Sequence, residues 1–304
     1  MKILTVFTGG TIACSSRDGV LSPDESNGFL LLDMYNKTYG GAEFETAVPY
    51  SILSENLSAE NLGMLYESIS GYDLSRFDGV IVCHGTDTLQ YTGAFLSLRF
   101  GLCETPIVLA SANYPLADPR SNGFDNFSAS VSFIGSGQGK GVFIAYKNGS
   151  DKYTAVHRAI RALPHLPFSD ELFSLKNQPY GYIADGAFVP NPDYSESQSE
   201  FPVLGAPTEK SVLFLRPYPG MVYPRLDDGF KAILLDSYHS GTIRTDGAEI
   251  EGFCGEAKRL GINVYLTGSE EGFGYESKSR FSCLGIKPLP PMSPIAAYVR
   301  LWLE

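Results

Sequence analysis

Cysteine, histidine and positive charge are all scarce in this sequence, and each scarcity excludes a class of protein. The five cysteines are widely spaced without a Cys-x-x-Cys pair, so neither a disulfide framework nor a zinc site is indicated. The four histidines show no metal-ligand spacing, and we expect no metal ion and no cofactor. The net charge of -11 disfavours a nucleic-acid partner, because phosphate binding depends on clustered Lys and Arg.

Long apolar runs are also missing. The N-terminal run extends only to Phe7, which is too short for the core of a signal peptide or for a bilayer span. We therefore expect a cytoplasmic protein without a membrane partner. Hydrophobic residues make up 43% of the chain and charged residues 19%, which is typical of a globular enzyme or binding protein.

The length and the pattern of apolar residues predict two α/β domains. A chain of 304 residues exceeds the size at which one core usually stops growing. Short β-branched runs alternate with amphipathic stretches, as in a parallel sheet covered by helices. In the first part of the chain this pattern predicts two helices, at 57–69 and 88–100, and four strands, at 2–7, 79–83, 106–110 and 141–146.

A stretch without periodicity separates the two predicted domains. Residues 185–207 are rich in Pro, Ser, Asn and Glu, and we place a linker at 191–210. From residue 211 the alternation resumes with SVLFLRPYPG at 211–220 and continues at 232–235 and 263–266, with helices at 247–260 and 295–303. The predicted fold is therefore α/β, with a larger doubly wound, mostly parallel domain at 1–190 and a smaller flavodoxin-like α/β domain at 211–304.

A glycine-rich segment, TGGTIA at residues 8–13, follows the first predicted strand. Ligands of parallel sheets bind beyond the carboxyl ends of strands, and two glycines allow backbone N–H groups to approach a ligand closely. The segment lacks the Lys-Ser/Thr pair of a phosphate-binding loop and the three-glycine spacing of a dinucleotide site. Taken alone, it is also compatible with a simple turn.

A second segment, HGTDT at residues 84–88, lies between a predicted strand and a predicted helix. Its adjacent threonine and aspartate can bind a polar ligand at the helix N-terminus. Asp87 with Gln90 three residues later is equally the pattern of a capping box. Because both segments follow buried parallel strands, we expect them to face one cleft.

Together the two segments resemble the signature segments of the bacterial L-asparaginase and glutaminase-asparaginase family. Residues 108–115 (VLASANYP) and 120–126 (RSNGFDN) are similar to two further segments of that family, so the resemblance covers most of residues 1–130. It implies hydrolysis of the side-chain amide of L-asparagine, and of L-glutamine as a second candidate, to the acid and ammonia. The family reaction proceeds through a threonine acyl-enzyme.

The resemblance also implies roles for individual residues. Thr11 would be the nucleophile, and Thr86 and Asp87 would form a second catalytic set. Backbone groups near the nucleophile, including Gly10, and the backbone of Ala112 would contact the substrate.

The triplet Ser54-Glu55-Asn56 is similar to the family's segment for the α-carboxylate and α-ammonium of the substrate. Ser54 would bind the carboxylate, and Glu55 would flank the ammonium. Without the other motifs the triplet is simply a polar helix start. In the C-terminal part, Thr242 matches a position that reaches the active site of a neighbouring subunit, and Glu276 matches an acidic substrate contact, with a surface glutamate as the alternative. The resemblance thus implies a homodimer or a homotetramer.

The sequence departs from the family at two positions. Val20 occupies the nearest match to the tyrosine of the family's flexible loop. Arg161 stands in place of the catalytic lysine; an arginine can orient Asp87 but cannot act as a base, because it keeps its proton. Lys147 and Lys152 are other candidates for the lysine, and a salt-bridged helix residue is the alternative reading of Arg161.

These departures leave two other functions open. The chain can be a non-catalytic or altered-specificity homologue that binds an amino acid. It can also be the amidase subunit of an enzyme acting on charged tRNA, although the acidic composition and the lack of an added RNA-binding domain argue against that.

Overall fold

The computed structural model contains sheets of eight, four and two strands, and their strands are three to six residues long. The structure describes residues 1–304 except 18, 19, 24, 208 and 269–273, and the side chains of residues 13–28 lie outside the description. The chain divides into two units, Met1–Val203 and Leu204–Glu304, and this division falls within the stretch where the sequence places a linker.

The N-terminal unit is built on an eight-stranded sheet with the order β10-β9-β8-β7-β6-β5-β1-β4. A separate antiparallel hairpin is formed by β2 (Cys14–Arg17) and β3 (Val20–Pro23). The strands of the large sheet are β1 (Lys2–Phe7), β4 (Glu43–Ala47), β5 (Gly79–Cys83), β6 (Ile107–Ala110), β7 (Val142–Tyr146), β8 (Thr154–Arg158), β9 (Gly181–Ala184) and β10 (Ala187–Pro190). The strands from β4 to β7 pair in parallel, and those from β7 to β10 pair antiparallel.

Helices cover both faces of this sheet, as the sequence predicts. They are α1 (Glu25–Thr38), α2 (Ala59–Ser70), α3 (Leu89–Phe100) and α4 (Gly123–Ser136). Phe143 and Ala145 of β7 belong to an apolar cluster with α1 and α4. Ile144, which points to the other face, lies against Gly93 of α3. The predicted doubly wound α/β fold is therefore confirmed.

One strand falls in the stretch 185–207, where the sequence shows no periodicity. β10 pairs with β9 across a two-residue turn in which Asp185 and Gly186 have positive φ angles of 50° and 81°. An Asp-Gly pair favours this tight hairpin turn because both residues tolerate the left-handed conformation. The turn chemistry, rather than hydrophobic alternation, specifies this strand.

Residues 195–203 pack back onto the N-terminal sheet through a buried arginine. The Arg158 side chain is 4% exposed and forms a two-pronged ion pair with Glu196, with N–O distances of 2.7 and 2.6 Å. Its guanidinium also lies over the rings of Phe143, Tyr180 and Phe201 at 4.3 to 4.9 Å. Cationic groups on aromatic faces are stabilised by the ring quadrupole. The last residues of the unit are thus part of its folded body.

The C-terminal unit contains a four-stranded parallel sheet in chain order. Its strands are β11 (Ser211–Leu215), β12 (Phe230–Leu235), β13 (Asn263–Leu266) and β14 (Ile286–Pro288). Its helices are α5 (Ala248–Arg259), α6 (Glu276–Ser279), α7 (Phe281–Leu284) and α8 (Pro294–Leu303). α8 begins where the Ser293 hydroxyl accepts a hydrogen bond from the Ala296 N–H, with Pro294 at the first helical position. Of the helices that the structure describes, none is long and apolar enough to cross a membrane.

The direction of β8 decides which residues can reach the candidate site. Tyr146, at the end of β7, pairs with Ala155, and Phe143, near the start of β7, pairs with Arg158. β8 therefore runs from the carboxyl edge of the parallel strands back to their amino edge. The carboxyl edge collects the ends of β1, β5, β6 and β7.

Candidate functional site

Two glycines make the turn after β1 touch its neighbours at backbone level. The φ angles of Gly9 and Gly10 are +96° and +76°, which side-chain-bearing residues rarely adopt. A Cβ on Gly9 would lie 2.2 Å from the Ile52 carbonyl oxygen, and one on Gly10 would lie 2.2 Å from the Gly85 nitrogen. This packing brings the first predicted segment against the second and leaves Thr11 half-buried at the start of a 3-10 helix.

Ser54 joins the same site from a third direction. A Cβ on Gly85 would lie 2.4 Å from the Ser54 hydroxyl oxygen. That hydroxyl accepts a hydrogen bond from the Asp87 N–H at 3.2 Å, and the Thr88 hydroxyl donates to the Ser54 carbonyl at 2.8 Å. Segments 8–13, 54–56 and 84–88, which the sequence singles out separately, therefore form one cluster at the carboxyl edge of the sheet.

The structure does not use Asp87 as a helix cap. α3 has Thr88 at its N-cap position without a side-chain capping bond, and the Gln90 amide donates to the backbone carbonyl of Asp87. Within the described residues, the Asp87 carboxylate makes no hydrogen bond to this turn. Asp87 is exposed and Thr86 is half-buried, so both side chains are available to a ligand.

His84 holds the second segment in place as a neutral group. Burial lowers the pKa of His84 to about 4. Nδ1 lies 2.8 Å from the Gly85 carbonyl, which can only accept, so Nδ1 carries the proton and Nε2 accepts from the Thr92 hydroxyl at 2.9 Å. The imidazole therefore orients the turn and is occupied on both nitrogens.

The first turn of α4 fixes the loop after β6. Ala112 is fully buried, and a Cβ on Gly123 would lie 2.9 Å from the Ala112 Cβ. The Asn122 side chain accepts from the Asn113 N–H at 3.1 Å, and the Asn126 side chain donates to a carbonyl of the same loop at 2.8 Å. The backbone at Ala112 is thus positioned beside the two threonine turns.

A polar group at the end of β7 extends the site beyond the residues that the sequence singles out. The buried Tyr146 hydroxyl donates to the Asn113 side-chain oxygen, and burial raises the pKa of Tyr146 to about 12. The His165 ring lies edge-on to the Tyr146 ring, with 5.2 Å between ring centroids. A signal for His165 was present in the sequence, because it is one of two histidines near the position where a lysine is missing.

Arg161 lies away from this cluster. It follows the end of β8 at the amino edge of the sheet, and its Nε forms an ion pair with Glu200 at 2.9 Å. Its Nη1 donates to the Ser195 carbonyl at 2.9 Å. Arg161 is therefore a salt-bridged residue, and we do not retain the hypothesis that it orients Asp87.

The two lysines considered as replacements also have other contacts. Lys147 forms an ion pair with Asp125 at 2.6 Å, and the Lys152 ammonium lies 4.8 Å from the centroid of the Tyr153 ring.

We expect Arg161→Lys to leave ammonia release unchanged within about twofold and to lower stability by about 1 kcal/mol, since the altered contacts, to Glu200 and to the Ser195 carbonyl, lie away from the candidate site. Steady-state kinetics and urea unfolding check both parts. Glu200→Gln is the matched variant and should cause a similar loss of stability. A higher rate of ammonia release in Arg161→Lys would instead support the hypothesis that Arg161 occupies the position of the catalytic lysine.

The remaining sequence-predicted residues are placed individually. Glu55 is exposed in the same 3-10 helix as Ser54. In the C-terminal unit, Thr242 is half-buried, and Glu276 is exposed at the first position of α6. Val20 lies on β3, and its side chain lies outside the described residues.

Known proteins resemble this chain in sequence. The family model described as "Asparaginase, N-terminal" matches residues 2–187. A glutamyl-tRNA(Gln) amidotransferase subunit of Sulfolobus acidocaldarius is 27% identical over 99% of this chain and 70% of its own length. The subunit of the same name in Methanothermobacter thermautotrophicus is 27% identical over 97% of this chain and 70% of its own length.

Solved structures share the fold over nearly the whole chain. The thermostable L-asparaginase from Thermococcus kodakarensis superposes with a TM-score of 0.79 at 21% identity, covering 100% of this chain and 92% of that one. L-asparaginase I from Vibrio cholerae gives a TM-score of 0.76 at 20% identity, covering 99% and 92%. At this level of identity the likeness is one of fold.

Proposed function

Because the chain belongs to the asparaginase family, we propose that it hydrolyses the side-chain amide of a small amino acid, L-asparagine in the first place, with Thr11 as the nucleophile. The observation that carries the proposal is the backbone contact between the turn that ends in Thr11 and the turn that carries Thr86 and Asp87. This contact places a hydroxyl nucleophile next to a second threonine and a carboxylate that can assist it, because a threonine hydroxyl needs a neighbouring group to activate it.

The reaction is an acyl transfer in two steps. The Thr11 oxygen attacks the amide carbon, ammonia leaves after protonation, and water releases the acid from the resulting ester. The negative charge that develops on the amide oxygen needs fixed donors, for which we propose N–H groups of the turn at Thr11–Ala13. Thr86 and Asp87 complete the catalytic group.

In this proposal, residues 54–56 together with Asp87 bind the α-carboxylate and the α-ammonium of the substrate. Ser54 is 5% exposed and is fixed by its contacts with Asp87 and Thr88, so its hydroxyl is a preset partner for the α-carboxylate. Glu55 and Asp87 would flank the α-ammonium, whose charge offsets the repulsion between two carboxylates. In the same proposal, Thr242 and Glu276 of a second copy complete the site in a homodimer or homotetramer, which analytical ultracentrifugation checks.

A second candidate is supported by the curated relatives. Two proteins that are 27% identical over 97–99% of this chain are named as subunits of a glutamyl-tRNA(Gln) amidotransferase. In that case the same site would act on an amide in concert with a partner that holds the tRNA. Because these relatives are named for an enzyme that acts on tRNA, the prediction that this chain has no nucleic-acid partner is not confirmed. The net charge of -11 still disfavours direct RNA binding by this chain.

Ammonia release by the purified chain tests the proposal. We expect release from L-asparagine in preference to L-glutamine and the D-isomers. Calorimetric binding of asparagine without ammonia release would support the non-catalytic alternative. No response of the isolated chain to any free amino acid, with ammonia release only when a tRNA-binding partner is present, would support the amidotransferase alternative.

A further inference from the structure

Residues 162–174 form a hairpin that lies against β8 and the segment after β7. Ala162 and Ser174 form an antiparallel bridge, and the Leu163 N–H donates to the Phe173 carbonyl at 2.9 Å. Leu172, two residues before Ser174, exchanges two hydrogen bonds with the side chain of Asn148, which follows β7. The hairpin is therefore fixed at the carboxyl edge, beside the end of β7.

His165 sits in this hairpin with one nitrogen committed and the other unpartnered. Nδ1 lies 3.1 Å from the Glu171 carbonyl oxygen, and a carbonyl only accepts, so Nδ1 carries the proton. Nε2 is then an acceptor, and it is buried without a hydrogen-bond partner among the described residues. Such a group is costly to bury unless a ligand or a proton donor uses it.

The surroundings of His165 favour a neutral imidazole that can accept a proton. Burial lowers the pKa of His165, while the Glu171 carbonyl and the carboxylates of Asp87 and Asp170 act in the opposite direction. The Nε2 of His157 on β8 also lacks a partner among the described residues, but His157 is 3% exposed, its Nδ1 is bonded to the Ser174 hydroxyl at 2.6 Å, and burial lowers its pKa to about 4. His157 is therefore enclosed in the core, whereas His165 lies in the partly exposed hairpin and interacts electrostatically with Asp87.

We propose that Nε2 of His165 is the proton acceptor of the amide hydrolysis, the role that the resemblance to the family assigns to a lysine. This inference rests on the proposed function. The bond between the Thr11 oxygen and the amide carbon forms as the hydroxyl proton passes to the imidazole, and Asp87 balances the new charge. The proton then moves to the amide nitrogen, the C–N bond breaks and ammonia leaves. Water then attacks the ester carbon as one of its protons passes to the imidazole, the C–O bond to Thr11 breaks, and the imidazolium returns that proton to the Thr11 oxygen.

Kinetics of two substitutions test the role. His165→Gln removes the base and should lower kcat/KM by about 10²- to 10⁴-fold. His165→Lys should recover part of that loss, with the acidic limb of the pH profile moved to higher pH, because a lysine gives up its proton later than an imidazole. Leu166→Gln changes the exposed neighbour in the same hairpin and is the matched control, with an unchanged profile.

A measurement that needs no turnover separates the role from the proposed function. Nitrogen-detected NMR should show His165 protonated on Nδ1, and Asp87→Asn should lower its pKa further, since the carboxylate stabilises the imidazolium. Identical titration in Asp87→Asn, or a wild-type pH profile in His165→Gln, would overturn the role while leaving ammonia release intact. A wild type without turnover on any amide would overturn the proposed function and the role together.

Discussion

Replacement of Thr11 by alanine is expected to abolish ammonia release, with kcat falling by about 10⁴-fold or more. The acyl-enzyme cannot form without the attacking oxygen, and the remaining donors of the site only stabilise charge. Stability should change by less than about 1 kcal/mol, because a half-buried threonine in a short 3-10 helix contributes little core. Steady-state ammonia assays and thermal unfolding measure the two effects.

Two further variants identify which turn supplies the nucleophile. Thr11→Ser keeps a hydroxyl and should retain measurable turnover, whereas Thr86→Ala should slow the reaction without removing the acyl-enzyme. Mass spectrometry of the quenched reaction detects that intermediate. Loss of the intermediate in Thr86→Ala, together with its persistence in Thr11→Ala, would assign the nucleophile to the second turn.

Gly10→Ala is expected to lower the free energy of unfolding by about 2–4 kcal/mol and to remove activity. The new Cβ would lie 2.2 Å from the Gly85 nitrogen and 2.3 Å from its Cα, so one backbone must move. The φ angle of +76° adds the cost of a left-handed conformation. Urea unfolding and the ammonia assay check the outcome.

Gly186→Ala separates the steric part of this effect from the backbone part. Gly186 has a similar φ of +81°, yet a Cβ there meets no atom within 4 Å. Its replacement should cost only about 1–2 kcal/mol, with full activity. Equal losses of stability at the two positions would show that the contact between the turns contributes nothing.

The elements that could be predicted from the sequence are those whose signal is local. β1 and β5 are continuous apolar runs that end in glycine-containing turns, and their observed bounds equal the predicted ones. β4 and β8 gave no such signal. β4 is a half-exposed edge strand, and it forms because its backbone pairs with β1. β8 contains a buried histidine and a buried arginine, which are compatible with a strand only because β7, Glu196 and three aromatic rings surround them.

The residues of the candidate site likewise divide into those with a local sequence signal and those without one. Thr11 and Thr86 come from turns directly after predictable strands, so their approach follows from the rule that parallel strands end at one edge. Arg161 and His165 lie beyond β8, whose reversed direction cannot be read from residue spacing. Residue spacing therefore matches Arg161 to the missing lysine, whereas the structure places His165 beside Tyr146 at the end of β7.

The packing of residues 195–203 on the first sheet has a consequence for truncation of the chain. A fragment cut after residue 190, where β10 ends, would lack both Glu196, the counter-charge of the Arg158 guanidinium, and Phe201, whose ring lies over it. Because both contacts are lost, we expect this fragment to be less stable than one that ends at Val203, where the first unit ends. Urea unfolding of the two fragments compares their stabilities.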